Sequence, residues 1–344
     1  MSLYAGARGR YSREMPRLGH VAALDGLRGI AILLVISSHY TGEPLGGGYG
    51  VDLFFVLSGF LITTLLLEER AATGRVGLGS FYVRRARRLF PALAVVLCAY
   101  LVYNAILGRD ALGTVADYGL YFGNIYYVIS HQPDNTGLGH LWSLAEEEQF
   151  YLVWPVLLLV LARVRRPAYW IAALVLALVA YRSALILNGA SMTRLYRAPD
   201  THSEGLLLGA GLAFLRQQGF MAGEWAGKLG LALAIPAAVA GAWKLGLPVF
   251  ELGAVLLVAA AVGRTEIARA LSIRPLVWLG ALSYSLYLWH FPVLWAFGAH
   301  DRLAALGLSF LLAWLSYRYV ERPFRRRGRR LEPTVGPAPA SASS

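Results

Sequence analysis

Arg28 and His39 lie eleven positions apart in "LDGLRGIAILLVISSHY", a run apolar enough to enter a membrane. Eleven residues is close to three helical turns, so a helix would carry both on one face, roughly 16 Å apart. Ionisable groups inside a bilayer must be compensated by partners or water, which makes them functional candidates. The structural alternative is a snorkelling pair of Arg28 with Asp25, one turn earlier, and an interfacial His39.

Further residues extend this chemistry. In "GHLWSLAEEEQFYLVWP", His140 and Glu147 are seven apart and share a face, within reach of Ser143. Three adjacent carboxylates (Glu146, Glu147, Glu148) would be forbidding in hydrocarbon, so that region is expected to be hydrated or to face partners. A solvated outer funnel suits Glu146; Glu147 and Glu148, beside Trp142, Phe150 and Tyr151, suit function. Asp52, which opens the next apolar helix after "GEPLGGGYG", can approach His39 and fix its imidazole tautomer. In "FYVRRARRLFPAL" the pairs Arg84/Arg87 and Arg85/Arg88 make two guanidinium ridges at a helix start, with Phe81 and Tyr82 beside them. Guanidinium forks fit phosphate oxygens, although membrane topology by itself also asks for arginines there. His290, in "LSYSLYLWHFPVL", is expected to pack by hydrogen bonding across the bundle.

Other chemistries lack their patterns. "GGGYG" is not followed by the Lys-Ser/Thr of a phosphate loop, and His39 has Pro44 where an HxxxxD acyltransferase motif needs Asp. The histidines are not at metal spacing, Ser58 has no nucleophile-elbow context, and the one cysteine, Cys98, excludes a disulfide. No metal or bound cofactor is expected.

The elements that must position these residues follow from composition. The 344 residues are 57% hydrophobic and only 15% charged, with a mean hydropathy of +0.52. Apolar runs of spanning length recur, which predicts an all-α polytopic membrane protein, a bundle of about ten transmembrane helices. The helices are expected near 24–41, 51–67, 90–107, 141–162, 168–187, 204–215, 228–244, 249–263, 276–298 and 303–320. The aromatic stretch 117–130 reads instead as an interfacial or re-entrant helix. The net charge of +12 suggests nucleic acid only until its distribution is examined. With the N-terminus inside, most of the 32 Lys and Arg fall in cytoplasmic segments, leaving Arg109, Arg194, Arg197, Lys244 and Arg302 outside. The basic runs are therefore topology signals facing anionic lipid. This divides the chain into a basic cytoplasmic segment (1–22), a membrane domain (23–326) and a disordered cytoplasmic tail (327–344) rich in Pro, Ala and Ser. Both termini are expected in the cytoplasm of a bacterium, and no cleaved signal peptide is apparent.

Together these stretches resemble the acyltransferase 3 family of integral membrane O-acyltransferases, over about residues 20 to 326. The resemblance rests on "LDGLRGIAILLVISSH", "GVDLFFVLSGFLIT", "FYVRRARRLFPAL", "HLWSLAEEEQFYLVWP", "SYSLYLWHFPV" and "ERPFR" in that order. It implies ten helices, an acyl-CoA donor (acetyl-CoA above all), and transfer to a hydroxyl of a carbohydrate, glycolipid or glycosylated small molecule. It also implies functional importance for Arg28, His39, the Arg85/Arg88 type of pair and Glu147. One departure is Ala145, where the family pattern SxExxFY has serine, so that hydroxyl is dispensable here or replaced by Ser143. The expected mechanism places nucleotide phosphates on the inner arginines and the thioester near His39 as general base, with Asp52 or Glu147 holding its tautomer; an acyl-histidine intermediate is the other route. A secondary transporter or flippase is the competing function class, disfavoured by the lack of an internal repeat.

Overall fold

The structure is a computed structural model and describes residues 17–41, 47–131, 134–240, 243–298 and 300–324. The expectations for the tail lie outside the described residues, as does most of the basic N-terminal segment and of the hairpin 42–50. Among the described residues the chain is helical without strands. The long helices are α1 (Ala22–Thr41), α2 (Gly47–Thr73), α3 (Leu78–Ile106), α6 (Trp142–Leu161), α7 (Pro167–Leu187), α10 (Glu204–Gln217), α11 (Glu224–Ala240), α12 (Trp243–Val262), α14 (Arg274–Phe297) and α15 (Arg302–Ser316). They overlap the ranges expected from the apolar runs, with α2 and α3 extending well beyond theirs. Five segments are long and apolar enough to cross a membrane: α1, Gly48–Thr73 of α2, α3, α7 and Arg302–Phe324, where α15 continues through a π-turn. The others are shorter, interrupted by charge, as α6 is by its three glutamates, or, like α14, less apolar through their Tyr, Trp, Ser and His residues.

Short helices join them: α4 (Leu112–Gly119), α5 (Gly123–Ser130), α8 (Met192–Arg197), α9 (Pro199–His202) and α13 (Glu266–Leu271). The 117–130 stretch is thus split between two helices of eight residues, each about 12 Å long and unable to span. The break falls at Tyr121, which takes a left-handed φ of 60°.

Apolar side chains are exposed around the bundle, among them Leu65, Ile106, Leu152, Leu176 and Leu187, as a lipid-facing surface requires. In lipid, helices associate through close packing rather than through the hydrophobic effect, so small residues mark the contacts. Two contacts set the site. A Cβ at Gly280 of α14 would fall inside the Asp25 carbonyl of α1, and one at Gly29 of α1 would meet the Leu276 carbonyl. Likewise a Cβ at Gly59 of α2 would collide with the Leu206 carbonyl of α10, and one at Gly209 with that of Val56. These glycines let α1 run against α14 and α2 against α10, backbone to backbone.

Candidate active site

Five helices surround one cavity of about 100 Å³ that is partly open to the outside. Helix spacing explains which side chains enter it. Ser143, Glu147 and Tyr151 recur every four residues on α6, Arg85 and Arg88 are three apart on α3, and Tyr284 and Tyr287 are three apart on α14. Arg28 comes from α1 and Ser58 from α2.

The four arginines of α3 separate by face. Arg85 and Arg88 line the cavity, whereas Arg84 and Arg87 are exposed; Arg84 pairs with Glu69 at 3.3 Å. Tyr82 lies outside the lining and donates to the Leu152 carbonyl at 2.9 Å, fastening α3 to α6. The Arg85 guanidinium is already held: its Nε donates to Glu148 Oε1 at 2.8 Å, its NH2 lies 2.6 Å from the same oxygen, and the Tyr151 ring lies 3.3 Å beneath it. Arg28 does not pair with Asp25. His20 engages that carboxylate at 2.7 Å, and Arg28 has no ion-pair partner among the described residues.

Successive residues of a helix point about 100° apart, and the three glutamates accordingly part company. Glu147 faces the cavity and accepts hydrogen bonds from the hydroxyls of Ser58 and Tyr151. Glu148 takes Arg85. Glu146, expected in a solvated funnel, is instead 1% exposed, because it turns into a buried polar cluster away from water. There Asp52 meets His202 Nε2 at 2.7 Å and Glu204 lies 2.8 Å from Arg182. Asp52 is therefore not positioned on His39. It opens α2 on the face toward α10, so it meets the histidine that precedes α10. Ala145 is fully buried and outside the cavity lining, whereas Ser143 of the same helix brings a hydroxyl to it.

His39 sits beyond the cavity, in a cluster of three imidazoles. His39 Nδ1 and His290 Nε2 are 3.2 Å apart, and the His140 and His290 ring centroids are 5.1 Å apart. His140 belongs to a short 3-10 turn before α6, so it leaves the face of Glu147 and joins this cluster. Tyr287 closes the cavity beneath it. Its hydroxyl shares a hydrogen bond of 2.7 Å with Ser143 and donates to the His140 carbonyl. The loop before His140 is anchored by Asp134, which accepts from Thr136 Oγ1 at 2.7 Å, Arg197 NH1 at 2.6 Å and the Tyr118 hydroxyl. Burial, and then the Asp134 carboxylate, push the Tyr118 phenol above its ordinary range, so it remains a donor. Sequence reasoning dismissed Ser58 as a nucleophile, noted Tyr151 only as a neighbour of the glutamates, and gave Tyr284 and Tyr287 no role, since their polar atoms are hidden in ordinary-looking apolar helices. It assigned His290 to packing. No cluster of metal-ligating side chains occurs among the described residues.

An all-α membrane bundle enclosing an arginine-lined cavity, with a histidine cluster beyond it, defines the class. The sequence matches the acyltransferase domain family over residues 21–318, and the chain belongs to that family. It is 30% identical to the peptidoglycan O-acetyltransferase OatA of Listeria monocytogenes, covering 93% of this chain and 57% of that protein. It is 31% identical to the O-acetyltransferase OatA of Staphylococcus aureus, covering 90% and 58%. With the putative peptidoglycan O-acetyltransferase YrhL of Bacillus subtilis the identity is 33%, covering 90% and 55%. The chain thus spans little more than half the length of these relatives. No solved structure matches it significantly.

Proposed function

We propose that the protein transfers an acetyl group from acetyl-CoA to a hydroxyl of a cell-envelope carbohydrate of the peptidoglycan class, across the cytoplasmic membrane. The observation that carries this reading is the ordering of groups through the bundle: arginines in the cavity, the Ser143–Tyr287 closure, then the histidines. Arg28 and Arg88, with Arg85 held rigid by Glu148 and Tyr151, offer guanidinium donors to the donor's phosphates. The pantetheine arm would run past Glu147 toward Tyr287, whose movement would open the way to His39. There the His39 imidazole takes the acceptor's hydroxyl proton as the oxygen attacks the thioester carbon. The C–S bond then breaks, and the proton passes to the thiolate, leaving the ester and free CoA thiol. General-base catalysis contributes ~10²–10⁴-fold; positioning of both substrates by the bundle supplies the rest.

The test uses purified protein in lipid nanodiscs with acetyl-labelled acetyl-CoA and soluble peptidoglycan fragments. The label is expected on the glycan as an ester, and it should be absent with His39→Ala protein of unchanged melting temperature. Label remaining on CoA for every carbohydrate offered would overturn the reading, as would wild-type transfer by His39→Ala for the role of that residue.

A further inference from the structure

We infer that His290 fixes the tautomer of His39, so that His39 Nε2 carries the free lone pair that accepts the substrate proton. The inference rests on His39 being the base and adds which atom acts and what sets it. His290 Nδ1 lies 2.7 Å from the Tyr287 carbonyl and 3.2 Å from that of Leu286. A carbonyl only accepts, so His290 Nδ1 must carry a proton. A second proton on Nε2 would make His290 a cation. It is 0% exposed, and its ring neighbours are His39, His140, Tyr287 and Phe291, which offer a positive charge no counter-ion. His290 is therefore the neutral Nδ1–H form, and its Nε2 accepts.

The donor this leaves for the 3.2 Å contact is His39 Nδ1–H; the Val35 carbonyl, one turn earlier on α1, also accepts from the His39 ring. A neutral imidazole protonated on Nδ1 has its basic lone pair on Nε2. The chain of hydrogen bonds thus runs from His39 Nδ1–H to His290 Nε2, and from His290 Nδ1–H to the backbone of α14. A carboxylate commonly holds an imidazole this way, and Asp52, the carboxylate expected here, is engaged with His202. His290 is a neutral substitute that adds no charge to the interior. It acts through His39, as a positioning residue.

The experiment has a spectroscopic and a kinetic arm. In full-length protein with ¹⁵N-labelled histidine in nanodiscs, the His39 resonances are assigned by their loss in His39→Gln. The expected pattern is a protonated, pyrrole-type Nδ1 and a bare, pyridine-type Nε2. A pyridine-type Nδ1 overturns the inference whatever the kinetics show. In the assay with acetyl-CoA and peptidoglycan fragments, His290→Phe should lower kcat about 10²-fold and leave both KM values within about two-fold. His290→Gln should recover most of that loss, since its amide can donate to the carbonyl and accept from His39. Wild-type kcat in folded His290→Phe also overturns the inference, even where His39→Ala is inactive. Full activity of His39→Ala removes the base reading instead, and the labelled spectrum still reads the tautomer.

Discussion

Arg88, a cavity-lining arginine on α3, tests the donor site at the scale of a single residue. Arg88→Gln should raise the KM for acetyl-CoA about ten-fold or more, the equivalent of one charge-assisted contact, with the acceptor KM nearly unchanged. Arg88→Lys should recover part of it, because charge returns without the fork. A larger change in the acceptor KM would assign Arg88 to the other substrate. Arg85→Gln is a poorer probe: it strands Glu148, and loss of one partner of a mostly buried pair costs about 3 kcal/mol, which would appear as a lower melting temperature. The sequence displayed the four arginines and two ridges at i, i+3 spacing. Which ridge faces inward depends on how α3 is rotated against α6 and α14, and that is tertiary information. The same holds for Glu146, Glu147 and Glu148, visible as a run but divided three ways by helical rotation. The partner of Asp52, His202, is 150 positions away in sequence, so no local pattern announced it.

At the scale of helices, the α1–α14 contact decides whether the histidines meet, since His39 and His290 ride on these two helices. Gly280→Val would drive a branched side chain into the Asp25 carbonyl and separate the pair. We expect loss of the monodisperse protein on size-exclusion chromatography, or a folded protein with transfer reduced at least ten-fold. Gly307→Ala, on α15 where a Cβ meets nothing within 4 Å, should change neither. Wild-type behaviour of Gly280→Val would show that the glycine contact is not needed. Helix ranges were legible because each long apolar run has a length and a pattern of its own. The approach of particular helices was not, because a glycine in an apolar run looks the same whether it faces lipid or another backbone.

The whole molecule raises the question of sidedness. In the orientation we propose from the charge asymmetry, the α2–α3 connection is inside and the α3–α4 connection outside. In a Cys98→Ser background, an impermeant thiol reagent applied to intact cells should label Gly113→Cys and spare Ala72→Cys, both exposed positions. The reverse pattern would invert the topology and with it the direction of transfer. In the proposed orientation the cavity guanidiniums hold the donor's phosphates near the cytoplasmic end, and only an uncharged arm and acyl group pass beyond Glu147. A membrane potential does work on charge, about 2.3 kcal/mol per elementary charge per 100 mV. Because the phosphates stop at the arginines, and the proton released at His39 moves only to the nearby thiolate, almost no net charge traverses the field. On that proposal acylation is independent of the electrical potential, and energised and depolarised vesicles are expected to transfer acetyl at the same rate.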